Sequence, residues 1–307
     1  MLYDDKLVHF IVTRPEWKNG SNKWLEKLQK KIDSKINLIN LPFQTFDLCS
    51  KKFFLLKLLK WLKKRKIKKI ILFTSPASVE AVNKIFDEIK IKCSKNSKTK
   101  IVFNLVLLLI NNFLKTKKIR FAAIGESTAE KIINLSSRYF EKNSLKISDI
   151  YYVKRNATGK EWVNSFSSKI TNFDVMLVEG AGNNDNLFKN LRKYTIRLER
   201  FIPYKKNFIT SADFERKINF FSKFTDNNVG GCNFSSKKFF ILISASNFIK
   251  PFFIFLKKEG IPINLFTIVA HHTQIIDKVK EIDSDINCKK ILSLNIDVIA
   301  KEMNNLI

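Results

Sequence analysis

Apolar residues recur along the chain in two rhythms. Nearly unbroken apolar runs of strand length stand at residues 7–13, 36–41, 70–73, 119–124, 150–153, 174–178, 239–243 and 263–269. Strands covered on both faces read this way, because neither face has to be polar. Between these runs the apolar residues return at helical spacing. Trp17, Trp24, Leu25 and Leu28 predict one helix, and residues 53–69, with lysines on one face, predict another. Further helices are expected from Pro76 to about Lys92, over 101–114, and around Ile132, Ile133 and Leu135. Others carry Trp162, Val163 and Phe166, run over 185–192, begin at Ser244 toward Leu256, and carry Ile275, Ile276 and Val279. Residues 197–204 read as a crossing strand-like segment.

The alternation of strand and helix predicts an α/β fold with parallel sheets. One unit recurs within it. The run ending at Thr74-Ser75 opens a helix with Pro76 at its first position, where a missing N–H does no harm. The run ending at Gly125 is followed by Ser127-x-x-Glu130, spaced as a capping box, with Thr128 inside it. Strand, then serine or threonine, then helix recurs with Ser244 and with Thr273. This repeat implies two similar domains, each a parallel sheet flanked by helices, with ligands expected beyond the carboxyl ends of the strands. Two such domains facing each other would share a cleft, and helix starts there favour anions.

Composition sharpens the picture. The 307 residues suffice for two domains, and 45% hydrophobic content with 28 phenylalanines excludes disorder. A formal charge of +28 suggests an anionic partner, although most of it reads as solvated surface: lysine, isoleucine, asparagine and phenylalanine are abundant throughout, and glycine is scarce. Cys49, Cys93, Cys232 and Cys288 lie far apart with no C-x-x-C spacing, against zinc or a disulfide framework and in keeping with a reducing cytosol. The acidic Met-Leu-Tyr-Asp-Asp start lacks a secretory core, and the apolar run 101–110, broken by Asn104, is too short to cross a bilayer. A soluble protein without membrane partners is expected.

Few motifs carry chemistry unaided. Gly180-Ala-Gly182 after a strand lacks the third glycine of a dinucleotide site, since Asp185 stands there, and no phosphate loop is present. His9, within an apolar strand, reads as a core residue. His271 and His272 are expected to point in different directions at a helix start, which argues against a metal pair. Ser75 and Ser244 lie outside any Gly-x-Ser-x-Gly elbow and read equally as caps. Tyr204, following Pro203, would donate a proton at a cleft rim or sit as an ordinary surface tyrosine. Lys51-Lys-Phe-Phe and Lys63-Lys-Arg-Lys66 would suit nucleic acid, so a basic nucleic-acid-binding α/β protein without catalytic activity stands as the alternative class. A periplasmic-type ligand binder would need a signal peptide.

The ordered fragments Val12-Thr-Arg-Pro-Glu16, Phe73-Thr-Ser-Pro-Ala-Ser-Val-Glu-Ala81, Ala123-Ile-Gly-Glu-Ser-Thr-Ala129, Ala157-Thr-Gly-Lys-Glu161, Leu177-Val-Glu-Gly-Ala-Gly182 and Pro203-Tyr204 resemble the uroporphyrinogen-III synthase family. The resemblance runs nearly the whole chain in family order. It implies two α/β domains joined by a two-strand connection with a cleft between, the first from residues 1–43 and 204–307 and the second from 44–203. It implies cyclisation of hydroxymethylbilane, a polycarboxylate, with inversion of ring D and loss of water, in haem biosynthesis. No cofactor or metal is expected, nor any nucleic acid. The protein would be a cytoplasmic monomer receiving substrate by hand-over from hydroxymethylbilane synthase. Tyr204 takes the place of the proton donor, and Thr13, Arg14, Ser75, Thr128, Gly180, Ser244 and Thr273 that of the substrate-binding set. The chain departs from the family pattern at Glu179 and Asn184, where arginine is frequent, and at Ala270-His-His-Thr273, where Gly-x-x-Thr is usual. The region 93–118 is enlarged.

Overall fold

A computed structural model describes residues 8–17, 23–64, 67–92, 97–140, 145–154, 157–182, 185–208, 238–244, 246–258, 260 and 262–305. In chain order the described elements begin β1 (Val8–Val12), β2 (Glu16–Trp17), α1 (Lys23–Gln29), β3 (Ile36–Asn40), β4 (Gln44–Leu48) and α2 (Lys51–Lys63). There follow β5 (Lys69–Phe73), α3 (Pro76–Lys92), α4 (Lys98–Lys115), β6 (Ile119–Gly125), α5 (Glu126–Tyr139) and β7 (Tyr151–Val153). Next come α6 (Gly159–Ile170), β8 (Asp174–Gly180), α7 (Asn186–Arg192), β9 (Arg197–Phe208), β10 (Lys238–Leu242) and α8 (Ile249–Lys258). The chain closes with β11 (Phe266–Ala270), α9 (Thr273–Ile282), β12 (Asn287–Lys290) and α10 (Ile296–Asn304).

The chain divides into two compact units, residues 1–46 with 207–307 and residues 47–206. It passes from one to the other within β4 and again within β9.

In the first unit five strands run parallel in the order β12-β11-β10-β1-β3. Side chains alternate across the pleat, so Ile11, Phe239 and Ile241 pack with α8 and α9 while Val8, Phe10, Val12 and Leu242 pack with α1 and α10. Both faces are covered, which is why β1 is buried at all five positions. His9 fulfils its core reading: it is fully buried, stacked on Phe239 with centroids 4.8 Å apart, and 3.2 Å from Asn37 through Nδ1.

In the second unit the strands β9-β8-β5-β6-β7 are parallel in that spatial order. Ile71, Phe73, Phe121 and Met176 face a core shared with α2, α3, α4 and α5. Ile70, Leu72, Val175 and Leu177 face the smaller core of Trp162, Val163 and Leu191 on α6 and α7. At the amino end of this sheet Lys69, 1% exposed, sets its amine 3.6 Å from Asp174 and donates to the Lys64 carbonyl at 2.6 Å.

Several local expectations give way to packing. Trp17 belongs to a short strand, not a helix, because Glu16 and Trp17 pair in parallel with Thr45 and Phe46, and its ring meets Phe46 edge-on at 5.2 Å. The helix expected over 53–69 runs from Lys51 to Lys63, since Lys64 is extended and Lys69 already belongs to β5. The strand expected from residue 263 begins at Phe266, after a 3-10 turn over Ile263–Leu265. The helix expected from Ser244 starts later, with a 3-10 turn at Ser246–Phe248 leading into α8.

The capping box at Ser127 and Glu130 does not form. Gly125 takes the N-cap position without a side-chain bond, and Ser127 lies exposed within the first turn. Starting two residues earlier lets Thr128, Ala129 and Ile132 face the core, and burial of that stripe outweighs one cap worth about 1 kcal/mol.

Candidate functional site

Each sheet has one place where neighbouring strands send their following helices in opposite directions along the sheet, and ligands of open α/β sheets bind outside the carboxyl ends there. In the second unit it lies between β5 and β8, with β6 and β7 on one side and β9 on the other. In the first unit it lies between β1 and β10, with β3 on one side and β11 and β12 on the other.

The second unit gathers three of the expected residues at this place. β8 ends at Gly180, which lies opposite Tyr204 of β9 after a register shift, and the Ala181 N–H donates to the Tyr204 carbonyl at 3.0 Å. The tyrosine ring then lies over the glycine. A Cβ placed on Gly180 would fall 2.5 Å from Tyr204 Cζ and 2.7 Å from its hydroxyl oxygen, so only glycine leaves the ring room. The β5 end is tied to β8 by the Thr74 N–H, which donates to the Val178 carbonyl at 3.1 Å. This brings Ser75 to the same point, where its hydroxyl is hydrogen-bonded to the Tyr204 phenol.

Tyr204 is therefore neither an exposed rim residue nor an ordinary surface tyrosine: it is 2% exposed. Burial pushes its phenol above the usual range; the Ser75 hydroxyl opposes that shift, and the charge of Glu179 adds to it. The phenol keeps its proton at neutral pH, so its hydroxyl can donate a hydrogen bond as well as accept one.

Ser75 does double duty. Its hydroxyl accepts from the Ser78 N–H at 3.3 Å, capping α3 as the sequence predicts, and Ser78 returns a bond from its own hydroxyl to the Ser75 carbonyl at 2.6 Å. Ser78, fully buried, escaped the sequence reading, although its spacing three residues beyond the cap was visible. Glu179, where the family pattern favours arginine, is 3% exposed and pairs with Arg200 Nε at 2.6 Å. Arg200 also pairs with Asp185 at 2.8 Å and lies 4.2 Å over the Phe188 ring. Burial lowers the Lys206 amine, and the charge of Glu179 opposes that shift. Neither Arg200 nor Lys206 carried a motif that would have singled it out. Thr128 sits one strand further along, 2% exposed in the first turn of α5.

In the first unit Thr13 directly follows β1, and its hydroxyl donates to the Leu242 carbonyl of β10 at 2.6 Å. That hydroxyl ties the two strands together at the point where their paths diverge. Arg14 follows with its guanidinium 4.4 Å over Trp24. Ser244, half-buried, stands two residues past the end of β10. Thr273 opens α9, exposed, and its hydroxyl accepts from the Lys290 amine at 3.1 Å.

His271 and His272 do not diverge as expected: their rings are 3.7 Å apart. Burial, then the charges of His272 and Arg14, lower His271 to about 4. The rings meet tilted, at 45° between their planes, and Thr273, not a histidine, begins the helix. Among the described residues no group of three or more His, Cys, Asp or Glu could hold a metal ion, and no helix is long and apolar enough to cross a membrane. Asn184 lies outside the described residues, as do Cys93 and Cys232.

No protein-family model matches the chain, and no curated protein sequence does. Among solved structures it is similar to a uroporphyrinogen III synthase variant from Thermus thermophilus, at a TM-score of 0.53 and 9% identity over 97% of this chain and 98% of that one. A uroporphyrinogen-III synthetase from Helicobacter pylori aligns at a TM-score of 0.47 and 11% identity over 96% of this chain and 99% of that one. The first likeness is one of fold alone.

Proposed function

We propose that the chain is a uroporphyrinogen-III synthase, a hydro-lyase that closes hydroxymethylbilane to uroporphyrinogen III. The observation that carries the reading is the junction of Ser75, Gly180 and Tyr204 at the switch point of the second unit, within the fold of the Thermus enzyme. The substrate bears eight carboxylates, and helix starts at strand ends in a chain of charge +28 suit such a molecule.

The chemistry asks for little beyond position and one proton. Loss of the hydroxyl leaves a delocalised cation that closes spontaneously to the wrong isomer. The protein must bend the chain so that the substituted carbon of ring D attacks first, giving a spiro intermediate that reopens and recloses. Tyr204, held protonated by burial and oriented by Ser75, would donate its hydrogen bond to the departing hydroxyl. Thr13 would set the β1–β10 junction, and Arg14 would present a cation to a carboxylate. Thr128, Ser244 and Thr273 complete the proposed substrate contacts. The reading places the protein in the cytoplasm as a monomer, with substrate handed over by hydroxymethylbilane synthase and no cofactor required.

The test supplies hydroxymethylbilane to the purified chain and reads the ratio of III to I isomers by chromatography. An excess of III over the spontaneous background is expected. A product ratio equal to that without protein would end the proposal.

A further inference from the structure

The first unit holds a cavity of about 690 Å³ between α1 and the start of α10. That volume is within the range of small-molecule sites, about 300–1,000 Å³. Its walls are of two kinds. Trp24, Leu294 and Ile296 are half-buried and continuous with the core beneath α1 and α10, so they form an apolar floor. The rim is cationic, with four basic side chains against the single carboxylate of Asp297. Lys31 spends its charge on that carboxylate. Lys27 and Lys30 have no acidic partner among the described residues, and the Arg14 guanidinium carbon lies 4.4 Å from the centre of the Trp24 ring. The start of α10 faces the same space, but its N-cap is already occupied: the Asn295 side chain accepts from the Asp297 N–H at 2.8 Å. Recognition would therefore fall to the side chains.

We infer that this cavity is a binding site for an organic polycarboxylate with a flat apolar body, the carboxylates meeting Lys27, Lys30 and Arg14 and the body lying against Trp24, Leu294 and Ile296. A small inorganic anion would leave the floor uncovered. A neutral apolar molecule would gain nothing from the two exposed lysines, which a carboxylate would engage. The inference deepens the proposed function by giving one carboxylate-bearing arm of the substrate a place, yet the binding can be read without turnover.

Calorimetry with benzenehexacarboxylate supplies the test, on the full chain. Lys27→Glu with Lys30→Glu should weaken binding about tenfold or more, since each decade corresponds to about 1.4 kcal/mol and two attractive contacts become repulsive. Lys52→Glu with Lys60→Glu makes the same change of net charge on exposed positions of α2 and should leave the affinity within about twofold, as expected of distant exposed charges under screening. Circular dichroism and thermal midpoints of both variants should match those of the parent. Equal weakening by the two pairs would assign the binding to the general positive field and overturn the site. So would displacement of the ligand by inorganic phosphate at matched concentration, or no binding by the parent chain. Isomer-III synthesis with unchanged binding in the Lys27/Lys30 variant would sink the cavity alone, whereas lost binding in that variant without isomer-III synthesis by the parent would sink only the enzyme reading.

Discussion

Replacing Gly180 by alanine isolates the packing on which the Tyr204 site depends. The added Cβ would lie 2.5, 2.7 and 2.8 Å from Tyr204 Cζ, Oη and Cε2. Carbon atoms at rest sit about 3.5–4.0 Å apart, so the ring must recede by about 1 Å. The ring is 2% exposed and cannot swing into solvent without leaving its packing. Overpacking of this kind costs about 1–3 kcal/mol. Loss of the Ser75 hydrogen bond adds about 0.5–1.5 kcal/mol, giving about 1.5–4.5 kcal/mol in all. Gly180 is not among the positive-φ glycines, so left-handed backbone strain contributes nothing, and the three nearest atoms all belong to Tyr204. A double-mutant cycle reads this directly: urea denaturation of Gly180→Ala in the parent and in a Tyr204→Ala background. The cost should fall below about 1 kcal/mol once the ring is gone. A cost that is the same in both backgrounds would refute the steric account, and with it the claim that Gly180 is there for the tyrosine. Gly182 is the internal contrast: its φ is +77° with open space around it, so Gly182→Ala should cost about 1–2 kcal/mol through conformation and ignore Tyr204.

Tyr204→Phe keeps the ring and removes the proton, so turnover of hydroxymethylbilane should fall about tenfold or more with the thermal midpoint nearly held; unchanged kinetics would remove Tyr204 as donor. Asp174→Ala strands the Lys69 amine, 1% exposed, and should cost about 3–5 kcal/mol, of which Lys69→Met in the same chain restores a large part. Urea midpoints of the single and double variants that simply add would contradict the pairing. His271 binds its proton more weakly folded, at about 4, than unfolded, at 6.5, so the unfolded chain takes up more protons between those values. The stability held by its neutral form is complete above about 6.5 and is lost as pH falls toward about 4. His271→Asn should flatten that part of the pH–stability curve, and an unaltered slope would point to other groups.

The sheets were legible because each central strand is covered on both faces. β1, β5 and β8 are buried at every position, and such strands announce themselves as unbroken apolar runs. Edge strands carry no such mark: β12 is Asn-Cys-Lys-Lys, exposed or half-buried throughout, and no apolar run points to it. β2 is only two residues long and exists through its pairing with β4. The cap at Ser75 could be read locally, since donor and acceptor lie three residues apart. The cap at Ser127 failed because the buried stripe from Thr128 to Ile132 set the phase of α5.

Sequence alone determined where the buried strands and most helices lie, and which hydroxyls follow strands, because periods of two and 3.6 and helix-start chemistry are properties of neighbouring residues. It could not determine that Tyr204 lies on Gly180, that Glu179 holds Arg200, or that His271 meets the charge of Arg14. Those meetings join residues 24, 21 and 257 positions apart in number, and they follow from strand order. β9 beside β8 and β8 beside β5 bring three distant segments to one end of a sheet, and burial there raises the phenol that an isolated peptide would leave at its ordinary value.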